Sequence, residues 1–248
     1  MSGGTQPVNG LEVAALPRTT RAVIFDVDGT LYRQSPLRRE MARQLVLAHA
    51  LHPLRGRRVM RALSSYRHAQ EDLRHASGPD LAAQQLSAAA AQSGIDESTI
   101  QALVEQWMET APLAVLGKFA RPNLRSTLQR LQAADIKLAV LSDYPAERKL
   151  TALGINDMFD VALCAQDPDI GVFKPNPRGI ELAIERLGVS SADSVYVGDR
   201  PEVDAAAARA ARVAAVIITS TPATSGDDFT TITDLGQLTA GWPDTARG

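Results

Sequence analysis

Asp26-Val27-Asp28-Gly29-Thr30 directly follows the apolar run Ala22-Val23-Ile24-Phe25. Two carboxylates one residue apart repel each other unless a cation, a shared proton or a reaction needs both. The glycine behind them lets the chain turn sharply. Three more polar clusters follow apolar runs: Ser142-Asp143 after Leu138–Leu141, Lys174-Pro175 after the run around Val161–Cys164, and Asp199 with Asp204 after Val195–Val197. Carboxylate oxygens suit a hard divalent cation, and Mg²⁺ favours one or two of them together with phosphate and water. A hydroxyl, an ammonium and backbone N–H groups at a strand-to-helix turn suit phosphate oxygens. Phosphoryl transfer asks mainly for positioning and charge neutralisation. A carboxylate can be its nucleophile, forming an aspartyl-phosphate, and a neighbouring acid can protonate the leaving oxygen and then activate water.

Such groups must be brought together by the elements that carry them. Ala22–Phe25 reads as a strand buried on both faces. After Thr110 strands and helices alternate. Strands are expected at 136–141, 161–164, 195–197 and 215–218, with a last short element at 230–233. Helices are expected at 124–134, 146–153, 177–187 and 203–211. That alternation implies a parallel sheet covered on both faces by right-handed crossovers. The carboxyl ends of its strands share one edge, so the four clusters converge. Between the first strand and the rest lies a helical insert of about eighty residues, too long for a loop. Leu37, Met41 and Leu45 recur at helical spacing, as do Val59, Leu63 and Tyr66; Gly94 ends one helix and Asp96 caps the next. Trp107 falls on the apolar stripe of that last helix and is expected in its core. The fold class is therefore α/β: a Rossmann-like parallel-sheet core flanked by helices, with an inserted all-α helical bundle. Residues 1–20 are expected as a flexible N-terminal tail, 21–32 and 118–248 as the core, and 33–117 as a cap wired like a lid.

At 248 residues and 45% hydrophobic content the chain can bury one large domain or a domain with an insert. A net charge of −2 and the absence of a long apolar run predict neither nucleic-acid binding nor a transmembrane segment. Residues 1–20 lack the pattern of a secretory signal. The single cysteine, Cys164, excludes an internal disulfide and fits a buried strand thiol in a reducing cytoplasm. The insert is locally basic: residues 33–77 carry ten Arg against Glu40, Glu71 and Asp72. Arg57, Arg58 and Arg61 are the candidates there for attracting an anionic substrate or partner. The four histidines, 49, 52, 68 and 75, lack metal-ligand spacing and are expected on the surface.

Taken together, the four clusters make the chain resemble the haloacid dehalogenase-like hydrolase superfamily, and within it the phosphatase branch with a C1-type helical cap. The resemblance runs over roughly residues 21–220. It implies Asp26 as nucleophile and Asp28 as general acid and base, with Gly29, Thr30, Ser142 and Lys174 binding phosphate. It also implies Mg²⁺ as cofactor, held by Asp26, the backbone carbonyl of Asp28, and Asp199, with Asp204 a further or more distant ligand. The expected reaction is hydrolysis of a small phosphorylated metabolite by a monomer or homodimer. Alternatives are a phosphomutase of the same fold, or a binding protein whose basic cap holds an anionic ligand or membrane complex. Asp28 must be protonated during part of such a cycle, so an environment raising its pKa is expected. The family usually has Asn where this chain has Asp143. That extra charge is expected to turn away from phosphate or pair with a cation.

Overall fold

Strand β1 (Ala22–Phe25) is buried along its whole length and occupies the middle of a six-stranded sheet. The structure, a computed structural model, describes residues 16–76, 78, 80–221 and 228–242. The other strands are β2 (Lys137–Ser142), β3 (Val161–Cys164), β4 (Ser194–Gly198), β5 (Ala214–Ile218) and β6 (Phe229–Ile232). Their order is β3-β2-β1-β4-β5-β6, and every pairing is parallel. The chain steps outward from β1 on one side through β2 and β3, then returns to its other side with β4. That reversal makes the carboxyl end of β1 the switch point, where open α/β sheets bind ligands.

The register fixes what meets there. Phe25 lies opposite Val140 of β2 and Val197 of β4. The next residues of all three strands therefore emerge at one level: Asp26, Leu141-Ser142 and Gly198-Asp199. Alternation along β1 divides the core. Val23 and Phe25 pack with Leu124, Leu128 and Leu131 of α6 (Leu124–Ala133) and Leu150 of α7 (Glu147–Ala152). Ala22 and Ile24 face the opposite side, with Ile180 and Ala183 of α8 (Arg178–Leu187) and Ala207 of α9 (Ala206–Ala210). The strands and core helices lie within a few residues of their expected bounds. One exception is 201–205, which forms a wide π-type turn before α9. Of the expected tail, residues 1–15 lie outside the described residues, whereas Leu16 and Thr20 are buried and Leu16 joins the core.

Between β1 and β2 come α1 (Gln34–Ala48), α2 (Pro53–Asp72), α3 (Leu81–Ser93), α4 (Glu97–Val104) and α5 (Leu113–Leu116). The Asp96 side chain caps α4, accepting from the Thr99 N–H at 2.8 Å. Beyond Val104 the helix widens into a π-type turn over Glu105–Thr110, which carries Trp107. Trp107 is buried with Val59, Leu63, Tyr66 and Ile100 in a core separate from those of the sheet. This helical segment is tied to the sheet beside Asp26. Tyr66 stacks on Tyr144 at 6.1 Å, and Arg200 pairs with Glu71 at 3.1 Å. No helix among the described residues is long and apolar enough to cross a membrane.

Candidate active site

Lys174 stands at the centre of the β1 switch point, and its three N–H donors are all engaged. Nζ lies 2.6 Å from Asp26 Oδ1, 2.7 Å from Asp204 Oδ1 and 3.0 Å from the Tyr196 hydroxyl. All four side chains are buried. Asp26 arrives from the end of β1, Tyr196 from β4, and Asp204 from the π-type turn after it. Asp199 completes the group, since carboxylate oxygens of Asp26, Asp199 and Asp204 lie within 4.8 Å of one another. Two glycines allow this crowding. Gly29 has φ +107°, and a Cβ there would stand 2.0 Å from Asp199 Oδ2. A Cβ on Gly198 would stand 2.4 Å from Asp204.

Three carboxylates around one ammonium leave two negative charges uncompensated. Burial pushes the Asp26 carboxyl well above the ordinary range, against the pull of Lys174 and with the push of Asp204 and Asp199. Burial and then Asp204 raise Asp199 to about 6. Burial also opposes charge on Asp204, but Lys174 and the backbone N–H groups of Asp199 and Arg200 outweigh it, and its pKa falls. Both Asp204 oxygens are thereby engaged, Oδ1 by Lys174 and Oδ2 by those N–H groups at 3.1 and 3.0 Å. No donor reaches the Asp199 carboxylate among the described residues. Two excess charges on hard oxygen donors, one of them without a partner, fit a divalent cation. Asp204 thus holds Lys174 and the 198–200 loop, and it belongs with Asp26 and Asp199 to the carboxylate group that could hold an ion.

Asp28 differs from the expectation. Burial favours its neutral form, yet its pKa is lowered, because Lys149 and the Tyr32 hydroxyl outweigh burial. Lys149 Nζ lies 2.6 and 2.8 Å from the two Asp28 oxygens, and the Tyr32 hydroxyl donates to Oδ1. Lys149 comes from the first turn of α7, at the same sheet edge. It is one of only four lysines in the chain, which together with its place after β2 is the signal that could have found it. Tyr32 and Tyr196 carried no signal beyond apolar patterning.

The residues expected to bind phosphate make contacts of their own within the protein. The Thr30 hydroxyl donates to Asp26 Oδ2 at 3.0 Å, so it orients that carboxylate and is not free for phosphate. Lys174 lines the cavity but spends its donors on the protein. Ser142 is fully buried; its Oγ accepts from the Tyr144 N–H at 3.3 Å, and its own O–H has no acceptor among the described residues. The Gly29 carbonyl accepts from Arg121 at 2.6 Å. Above these groups lies a cavity of about 440 Å³, lined from the core by Asp26, Asp28, Lys174 and Asp199 and from the helices by Arg38, Arg67, Gln70 and Arg74. Arg57, Arg58 and Arg61 do not line it, and Arg58 instead stands 3.8 Å from Asp96. His68 does line it, whereas His49 packs beside Trp107 with ring centres 6.0 Å apart. Asp143 is paired with Arg74 at 3.1 Å and accepts from Gln70 at 2.8 Å. Cys164 is a buried thiol pushed up to about 12 by burial.

A parallel sheet with acids gathered at its switch point defines an α/β enzyme core, and comparison with known proteins gives that class a family. The model of the haloacid dehalogenase-like hydrolases matches residues 20–212, and the chain belongs to that family. It is 32% identical over 206 residues to a glyceraldehyde 3-phosphate phosphatase of Methanopyrus kandleri, covering 80% of this chain and 83% of the relative. It is 28% identical over 215 residues to a phosphoglycolate phosphatase of Rhodospirillum rubrum, covering 80% and 79%. A 2-haloacid dehalogenase from Pseudomonas syringae shares the fold, with a TM-score of 0.62 at 24% identity over 88% of this chain and 96% of that one.

Proposed function

We propose that this chain is a Mg²⁺-dependent phosphatase that hydrolyses a small phosphate monoester through an aspartyl-phosphate on Asp26. The observation that carries the reading is the surplus of two negative charges around Lys174, beside a carboxylate open to a cavity with unpaired arginines. The matched relatives are phosphatases by name, which favours a phosphate ester over other substrates of the family. Asp26, the carbonyl of Asp28, and Asp199 would hold the cation. Bound there, it would neutralise charge on phosphate oxygens.

In this reading an Asp26 oxygen attacks phosphorus in line, and the bond from phosphorus to the ester oxygen breaks. Asp28, whose carboxyl Lys149 and Tyr32 hold down in the free protein, takes up a proton as substrate binding loosens the Lys149 contact, and passes that proton to the departing oxygen. Asp28 then takes a proton from water, whose oxygen attacks phosphorus and releases phosphate from Asp26. Thr30 and Lys174 fix the attacking carboxylate. Lys149 and Tyr32 do the same for Asp28, while residues 33–117 act as a cap that shields the site from bulk water. Arg38 and Arg67 line the cavity without a carboxylate partner among the described residues, which leaves them for the oxygens of the substrate.

The test is phosphate release from an aryl phosphate with and without Mg²⁺. Turnover should vanish with a chelator and fall at least ~10³-fold in Asp26→Asn. Undiminished turnover in that variant would remove Asp26 from the chemistry. Absolute dependence on a sugar bisphosphate would favour the mutase alternative instead.

A further inference from the structure

A second cavity, of about 310 Å³, adjoins the polar one, with Asp28, Arg38, Arg67 and Tyr144 common to both walls. Its character is different. Away from the junction it is walled by Met41, Met60, Leu63, Trp107, Met108 and Leu113, supplied mainly by α1, α2 and the π-type turn. Three of the five methionines of the chain meet there. Methionine is unbranched and adapts to irregular apolar shapes, which suits a wall that must close on ligands of variable outline. An apolar cavity of ~150 Å³ admits a benzene ring, so this one offers room for roughly twice that body.

Its place decides what would enter. Asp28, which the proposed mechanism puts against the departing oxygen, lines the junction. Whatever is attached to that oxygen on the side away from phosphorus must extend either back into the polar cavity or on into this one. A two- or three-carbon polar leaving group would leave most of the apolar wall uncovered. Arg38 and Arg67 stand at the junction, where they can meet phosphate oxygens; the charged residues of the wall beyond are Glu109, Glu147, Arg148 and Lys149, and Lys149 is held by Asp28.

We infer that the apolar cavity is the leaving-group site, and that the preferred substrates are phosphate monoesters of alcohols with an apolar body of about six to ten carbons. The inference rests on the phosphatase reading and adds the substrate class to it. The products are the free apolar alcohol, which keeps the ester oxygen and gains a proton, and inorganic phosphate, which takes its new oxygen from water.

The test is a series of linear alkyl phosphates from ethyl to decyl, each below its micelle concentration, with kcat/KM measured on the full chain with Mg²⁺. Each added methylene should raise kcat/KM about threefold to fourfold until the cavity is full, with a plateau near eight carbons. In Met41→Trp and Met108→Trp the plateau should move to shorter chains, and the octyl-to-ethyl ratio should fall at least ~10-fold. Product inhibition of the unaltered protein by octanol, but not by ethanol at equal concentration, is a second readout that needs no variant. A flat or falling series with turnover present would overturn the leaving-group assignment and leave the phosphatase reading standing. A rising series that neither tryptophan variant changes would place the selectivity outside this cavity and also overturn it. No turnover of any ester would overturn both.

Discussion

Asp26 and Asp28 are two residues apart, yet they lie in opposite electrostatic surroundings. Asp26 belongs to the Lys174 cluster, where three acids share one buried ammonium and burial drives the Asp26 carboxyl upward. Asp28 faces the helices, where one lysine serves one acid and the carboxyl is driven down. The first region is a core feature held by strand register and is short of positive charge. The second is charge-matched, with the Lys149 ammonium and the Tyr32 hydroxyl on the Asp28 carboxylate. Strands buried on both faces can hold a costly charge arrangement in place, while the proposed role of Asp28 requires that its contacts with Lys149 and Tyr32 exchange as substrate enters and leaves.

The contrast should be widest in stability. Lys174→Met leaves buried carboxylates without their cation and should cost about 3–5 kcal/mol, roughly 10 °C in Tm by calorimetry. Lys149→Met removes a single pair that is less deeply buried, at 13% and 18% exposure against 5% and 7%, and should cost less, about 1–2 kcal/mol. Equal losses would mean that the two regions are held alike. A smaller effect of opposite sign is expected at Asp199, whose carboxyl burial and Asp204 raise to about 6 even though Lys174, Arg121 and Arg200 partly offset its charge. Asp199→Asn should raise the Tm of the metal-free protein by about 3 °C at neutral pH, and should abolish the further rise that Mg²⁺ gives the unaltered chain. A lower metal-free Tm would show that Asp199 is already compensated.

The smallest effect concerns the contact between helices and sheet. Hydrogen bonding from Arg74 brings Glu71 down to about 2, with burial opposing and Arg200 adding to the shift. A depressed carboxyl stabilises the fold above its ordinary value of 4.5 and loses that contribution as pH falls towards 2. Solvent screening limits the amount to at most ~1 kcal/mol, because Glu71 is half exposed. Glu71→Gln should therefore melt slightly earlier than the unaltered protein at pH 6 and together with it near pH 2. A constant gap across that range would assign the difference to packing.

Much of the sheet and the acid cluster was legible in the sequence. Doubly buried strands read as continuous apolar runs, and parallel topology then forces Asp26, Ser142 and Asp199 to one edge. The partners of those groups were not legible. The donors spent by Lys174 and Thr30 on Asp26, and the grip of Lys149 and Tyr32 on Asp28, depend on side-chain directions that periodicity does not encode. The basic insert illustrates the same limit. Its composition drew attention to Arg57, Arg58 and Arg61, whereas helix orientation turns Arg38, Arg67 and Arg74 to the cavity.

The claim on which the rest depends is that Asp26 itself takes the phosphoryl group. Acid-quenched enzyme from a single turnover, digested with trypsin and sequenced by mass spectrometry, tests it directly on the peptide 22–33. The account predicts a phosphoryl increment on Asp26 that hydroxylamine removes. An increment on His68 or any other residue, or a burst of released alcohol with no increment on Asp26, would contradict it.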